Sequence, residues 1–421
     1  MNAPSQIKVA VAAPKEPRTA AESGIRKAVL EGLALKILYL TGPLSLFELA
    51  KLTRLSLEVV EEVFERLRAE QLCAVTGLSG NTPNVVITSQ GRTRALELLS
   101  MNQYSGPAPV SMESYTAMVR QQSVHNVEVH AAEVERAFAH LVMDTKTLWQ
   151  IGTALNSGSS LFLYGPTGVG KTTIAETISH VLSEDKVWIP YAVEVDGQFI
   201  TVYDPLVHKR VDKALAGDGR WVLCQRPAVI AGGELTIEML DLQLSPATKF
   251  YAAPLQMKAN NGVLVIDDFG RQRVQPEAFL NRWVVPLDRR IDFLTMAGGK
   301  TIEIPFEVMV IFSTNRNPTE LLEDAFLRRV QTKIKIEAVS DDQFCEIFRR
   351  VATDRGVEYD TDVIKNLATF IREKLDQPLR PCYPKDIMNQ ICWAAQFEGK
   401  QPNLDEAAVM QAVNAYFLAP S

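Results

Sequence analysis

The chain has 421 residues, enough for roughly two or three domains. Its 47% hydrophobic and 22% charged residues are ordinary for a globular protein, and a net charge of −6 gives no general pull toward nucleic acid or anionic lipid. Five scattered cysteines with no Cys-x-x-Cys pair speak against a disulfide frame or a zinc site, and no apolar run is long enough to span a bilayer, so a cytoplasmic protein without membrane insertion is expected. Residues 1–21, rich in Ala, Pro and Lys, are expected to form a mobile tail.

Residues 22–102 have the pattern of one small domain. A first helix carries Val29, Leu30, Leu33, Leu35, Ile37 and Leu38 and stops at Gly42-Pro43. Ser45 caps a second short helix, and Ser56 caps a third with Val59, Val60, Phe64 and Leu67 as its buried stripe. Two β-rich runs, 72–76 and 84–88, form a hairpin, and a helix from Gly91 closes the unit. That order predicts a winged helix-turn-helix, and the step from Ile87 to Arg92 resembles the strand-to-helix turn of bacterial winged-helix regulators. The third helix carries Glu58, Glu61, Glu62, Glu65 and Glu70 against Arg66 and Arg68. A helix entering a DNA groove needs cations at the phosphates, so contact with protein ranks ahead of DNA. Residues 103–129, with Gly106 between Pro107 and Ser105, are expected to be a semi-rigid linker with a possible helix from Ser114.

From residue 130 the pattern changes to α/β. Helices are expected over 130–143 and 145–155, followed by the apolar strand Leu161 to Tyr164. Then come Gly165, Pro166, Thr167, Gly168, Val169, Gly170, Lys171, Thr172 and Thr173, and a helix opening at Ile174. The glycines let backbone N–H groups turn inward, and the helix N-terminus adds its positive dipole end. Strand, glycine loop, Lys-Thr and helix together make a phosphate-binding loop, with Lys171 at the outer phosphates and Thr172 on magnesium. The bland alternative is a glycine-rich turn with a chance lysine. ATP and Mg2+ are therefore the expected cofactors.

Downstream, Asp196-Gly197 between β-rich runs predicts a hairpin, and residues 186–261 exceed a plain strand–helix–strand unit, so they hold an insertion. Val263 to Ile266 is a buried strand ending in Asp267 and Asp268, which places two carboxylates at the site end of a sheet. Asp267 is the expected magnesium ligand. A helix over 276–286 and a second hairpin around Gly298-Gly299 precede the apolar strand Val308 to Phe312, which ends in Ser313, Thr314 and Asn315. An amide there can bond the attacking water or the outer phosphate. A short helix then ends at Arg328-Arg329.

This order of phosphate loop, acidic strand end, Asn-tipped strand and arginine pair resembles the AAA+ ATPases. The hairpin between the acids and Asn315 resembles the pre-sensor-1 hairpin group. The stretches from Ala278 to Leu287 and from Pro305 to Asn315 are similar to MoxR-type chaperone ATPases. The resemblance spans about residues 131–417. It implies that Asn315 is the first sensor and that Arg329 or Arg328 is an arginine finger reaching a neighbour's nucleotide. It also implies that Asp268 stands where the class has a glutamate that orients the attacking water. Aspartate is shorter by one methylene, which puts the hydrolysis rate in question. No Gly-Ala-Phe-Thr-Gly-Ala-like loop occurs, which argues against an enhancer-binding activator.

Residues 339–421 match the helical lid of that class. Ser340 and Gln343 form a capping box, Phe344, Ile347, Phe348 and Val351 face inward, and further helices follow. The resemblance places a second sensor near the start of the third lid helix, at Lys385 or Arg380. The expected fold is thus an α/β P-loop AAA+ core over 130–338 with an all-helical C-terminal lid, preceded by the winged helix-turn-helix. The expected function is ATP hydrolysis in a ring, taken as a hexamer, working on a protein client held through the winged domain. A DNA-bound regulator or loader and a slow nucleotide-dependent assembly switch are the alternatives.

Overall fold

The computed structural model describes residues 11–79, 82–211 and 217–417. Its central sheet has five strands in the order Ala228–Ala231, Val263–Ile266, Met309–Thr314, Leu161–Tyr164, Thr332–Lys335. Leu161–Tyr164 is flanked by Met309–Thr314 and Thr332–Lys335, both parallel, with Phe162 opposite Phe312 and Lys333. Met309–Thr314 is buried at all six positions and Val263–Ile266 at all four, as expected of strands covered on both faces. The fold is the AAA+ P-loop α/β fold with a helical C-terminal region.

Two compact units are present. One gathers residues up to Val127 with Leu182–Val265 and Gln272–Val310; the other gathers Glu128–Val181, Ile266–Arg271 and Ile311 onward.

In the first unit, helices Lys27–Thr41, Leu46–Thr53 and Leu57–Ala69, the hairpin Cys73–Ser79/Thr82–Ile87 and helix Ser89–Met101 follow in the expected order. The side chains of Ser45, Ser56 and Thr88 accept bonds from the backbone N–H groups of Glu48, Val59 and Gly91, so each helix starts at a cap visible in the sequence. The expected domain borders do not hold. The core of this front segment includes Tyr104, Ala108, Ala192 and Phe199, so it is completed by residues from the insertion. Tyr104 and Phe199 stack at 5.0 Å and 12°. Arg220, buried with Asp218, donates to Ser23 O and Pro109 O at 2.9 and 3.1 Å.

The expected linker over 103–129 is structured. Ala108 and Val110 are fully buried, strand Val110–Ser111 pairs in parallel with Val193–Glu194, and helix Met112–Gln121 follows. Its turn residues close on themselves, with the Tyr104 hydroxyl donating to Pro107 O, rather than opening a joint. The expected mobile tail needs the same correction from residue 11 onward; residues 1–10 lie outside the described residues. The Ser56 hydroxyl donates to Pro17 O, Ala20 N donates to Glu62, and Trp188 Nε1 donates to Val11 O.

The insertion forms the predicted Asp-Gly hairpin, Ala192–Val195 with Gln198–Thr201. Lys186–Pro190 instead pairs antiparallel with Trp221–Gln225. The second hairpin, Ile291–Thr295 with Thr301–Pro305, buries Leu294, Met296, Ile302 and Ile304 in a core shared with Val187, Trp188, Ile200 and Tyr251. At its tip Lys300 forms an ion pair with Asp196 of the first hairpin.

In the second unit, helices Asp341–Asp354, Thr361–Glu373, Tyr383–Glu398 and Glu406–Tyr416 enclose Phe344, Phe348, Ile364, Ile371, Ile387 and Val413. Ser340 and Gln343 form the predicted capping box.

Candidate nucleotide site

The candidate site lies within the second unit. The phosphate loop leaves strand Leu161–Tyr164 and enters helix Lys171–Leu182. Two of its glycines are dictated by close approach. Ile336 N donates to Tyr164 O at 2.8 Å, and this pairing carries Ile336 O across Gly165, where a Cβ would sit 2.0 Å from it. Gly168, at φ +81°, lies under the turn that opens the third lid helix, and a Cβ there would meet Cys382 Sγ at 2.8 Å and Arg380 Cδ at 3.3 Å.

Lys171 is 7% exposed and donates to Gly165 O and Pro166 O at 2.9 and 2.8 Å. Burial lowers its ammonium pKa, while the carboxylates of Asp268 and Asp267 pull the other way. The Thr172 hydroxyl donates to Asp267 Oδ2 at 2.9 Å. The short turn carrying the acids is pinned by Phe269 N donating to Ser313 O at 2.7 Å and by the Thr314 hydroxyl donating to Phe269 O at 2.9 Å. Asp268 is exposed and sits at φ +49°. Aspartate tolerates that left-handed conformation better than most residues. Asn315 Nδ2 lies 3.4 Å from Thr167 Oγ1, bringing the Asn-tipped strand to the loop.

The members of the two pairs left open by the sequence lie in different surroundings. Arg380 lies along Gly168, whereas Lys385 is exposed on the first turn of helix Tyr383–Glu398. Arg329 Nη1 donates to Ala325 O at 2.7 Å, whereas Arg328, which caps helix Asp324–Leu327, is exposed. Pro166, Thr167, Thr172 and Thr173 are exposed along the loop, and Val169 is buried beneath it. Cys382 is a loop neighbour that nothing in the sequence marks, because the contact depends on how the lid folds back.

The donor set fits a magnesium nucleotide. Arg380 Nε is buried with no hydrogen-bond partner, an orphan donor beside a glycine of the loop. Lys171, the loop amides and the start of the helix add further donors for phosphate. Thr172 and Asp267, already in contact, supply the few oxygens that magnesium takes from protein when phosphates complete its shell. Among the described residues no cluster of three or more His, Cys, Asp or Glu offers a self-contained metal cage.

Residues 160–330 match the AAA domain (dynein-related subfamily), and residues 340–415 match a domain of unknown function (DUF8689). No curated protein matches the chain. Among solved structures the chain is similar to the Thermotoga maritima RuvB Holliday junction branch migration motor, at 14% identity and a TM-score of 0.38, covering 65% of this chain and 69% of that one. It is similar also to NtrX from Brucella abortus, at 14% identity and a TM-score of 0.41, covering 68% of this chain and 58% of that one. At that level, what those proteins act on says nothing about this chain. No helix of the described residues is long and apolar enough to cross a membrane.

Proposed function

We propose that this chain, whose residues 160–330 are an AAA domain, is a magnesium-dependent ATPase that assembles into a ring and remodels a protein client in the manner of MoxR-type proteins. The observation that carries the reading is the convergence of Lys171, the Thr172–Asp267 pair and Asn315 on one glycine loop at the end of a parallel sheet. Bound magnesium neutralises charge on the transferred phosphate. Lys171 exchanges two carbonyls for the outer phosphates, and Thr172 and Asp267 hold the metal. Asp268 accepts the proton of the attacking water, and Asn315 orients it. Arg380 supplies the lid's cation to the same phosphates. Arg328, exposed, is the better placed of the arginine pair to reach a neighbour's site, a hexamer being the expected ring.

The front domain, taken as a winged helix-turn-helix, serves as the client contact. Each cation of its third helix has a carboxylate beside it at the surface: Arg66 pairs with Glu31, and Arg68 with Glu65. Glu58 and Glu61 remain on the exposed face, which is unfavourable for phosphate. A DNA-bound regulator or loader is therefore the weaker reading. A slow assembly switch is favoured by one feature, the short Asp268 carboxylate in place of a glutamate.

The test is Lys171→Ala followed by calorimetric titration with MgATP. Binding should be lost while the melting temperature of the ligand-free protein stays near that of the parent. Unchanged affinity would remove the phosphate-loop assignment and the ATPase reading with it.

A further inference from the structure

The turn from Arg380 to Tyr383 sits on the phosphate loop, and something must hold it there. The Arg380 guanidinium lies over the Tyr383 ring, with Cζ 5.6 Å from the centroid. That ring is 3% exposed and fixed on its other sides by the last helix. Phe417 meets it edge-on at 5.0 Å and 77°, and Tyr416 at 5.7 Å and 74°. The Tyr416 hydroxyl in turn donates to Asp386 Oδ2 at 2.9 Å, one turn along the helix that Tyr383 begins. Polar restraint on Arg380 is slight by comparison: Nη2 reaches Gln377 Oε1 only at 3.4 Å, and Nε has no partner. The contact with Gly168 sets the distance of the arginine from the loop, and the ring sets its direction.

We propose that Tyr383 is a positioning residue for nucleotide binding, its ring holding the Arg380 guanidinium against the phosphate loop. The inference rests on the ATP-binding reading above and adds to it a route from the last helix, Glu406–Tyr416, to the phosphates. An arginine side chain loses rotamer freedom when it grips an anion, and a cation–π contact made beforehand removes part of that loss. The ring acts on the loop through the arginine, its other contacts being with the last helix and the residue after it, so its effect belongs to nucleotide affinity rather than to the bond-breaking step.

The experiment measures KM and kcat for MgATP in the full chain carrying Tyr383→Leu, Tyr383→Phe, Arg380→Ala, Arg380→Lys and the Tyr383→Leu/Arg380→Ala pair, with a thermal melt of each. Tyr383→Leu should raise KM about two- to tenfold, the range of a cation–π contact, with kcat changed less. Tyr383→Phe keeps the aromatic face and should stay near the parent. Tyr383→Leu should add nothing in the Arg380→Ala background. Arg380→Lys tests the contact without touching the buried ring, and should raise KM as Tyr383→Leu does. Equal damage from Tyr383→Phe and Tyr383→Leu overturns the proposal, as does full additivity with Arg380→Ala. A normal KM for Arg380→Ala overturns it too, and the Lys171→Ala titration then tells whether the ATP site itself stands.

Discussion

Replacing Arg220 with alanine tests whether the front segment and the insertion are one folded body. The Arg220 and Asp218 side chains are 5% and 3% exposed, and their closest contact is 2.8 Å. Removing one partner of such a pair leaves a buried charge uncompensated, at a cost of about 3–5 kcal/mol. Ser23 O and Pro109 O also lose their donor, adding about 1 kcal/mol each where water cannot replace it. The expected loss is about 5–7 kcal/mol, which for a unit of this size lowers the melting temperature by roughly 10–28 °C. Urea unfolding followed by tryptophan fluorescence reads it through Trp188 and Trp221, both in this unit. Limited proteolysis should then cut between residues 102 and 112, a stretch whose Ala108 and Val110 are buried in the intact protein. Replacing the pair together by Arg220→Met and Asp218→Leu should recover most of the loss, because no lone charge remains. A loss under about 1 kcal/mol with an unchanged cleavage pattern would refute the reasoning, since a segment on a flexible linker would not feel the change.

Asp268→Asn should bind MgATP like the parent and lose about 10²–10⁴ in turnover, since an amide cannot take a proton from water; turnover equal to the parent would clear Asp268 of that role. Arg328→Ala should bind ATP and hydrolyse it poorly, with a larger loss than Arg329→Ala, on the scale of about 10³–10⁵ seen for arginine fingers. Mixing Arg328→Ala with Lys171→Ala should restore some activity if the site is shared between subunits, and full activity from a strictly monomeric protein would rule sharing out. Lys36→Met should fare better against the parent at pH 7 than at pH 10 by about 1–3 kcal/mol, because Lys36 is buried and its pKa is held at about 8 by desolvation, whereas the lost bond to Asn102 O and the lost contact with the Phe199 ring count at both pH values. The unfolded chain binds that proton up to its normal value of 10.5, so this relative gain is full below pH 8 and fades as pH rises toward 10.5. Melts at pH 7 and pH 10 check the sign, and a gain that grows with pH would contradict it.

The glycine loop between a strand and a helix was legible in the sequence because its pattern is local. Lys171 and Thr172 follow the glycines at fixed spacing, and one strand and one helix complete the cradle. Ser45, Ser56 and Ser340 were legible for the same reason, since a cap is decided within four residues. Asp267 and Asn315 were read as polar tips of apolar runs; parallel pairing of Met309–Thr314 with Leu161–Tyr164 carries Asn315 to the loop, and the Thr172 hydroxyl donates to Asp267 there. The unit boundaries were not legible. They depend on Arg220 reaching Ser23 and Pro109 and on Phe199 reaching Tyr104, contacts far apart in sequence that no local pattern encodes. Glycine and proline between residues 105 and 109 signal a turn equally well in a loose joint and in a buried one. That Arg380 and not Lys385 lies against Gly168 also depends on the folded lid, because both stand near the start of one helix.

The first unit is assembled from three separate lengths of chain, and this sets an order of events during synthesis. Tyr104 leaves the ribosome well before its stacking partner Phe199, an interval of about 5–19 s at usual elongation rates. For that time the helices from Lys27 to Met101 hold an unfinished core, with Tyr104 and Ala108 lacking the insertion residues that cover them in the finished protein. The last length, Gln272–Val310, comes later still, after the phosphate loop has already emerged. Folding from the N-terminus onward is therefore closed to this chain as a sequence of finished domains. Its front segment must wait, partly apolar and exposed, for residues that have yet to be made, and a chaperone acting on the nascent chain would find its substrate there.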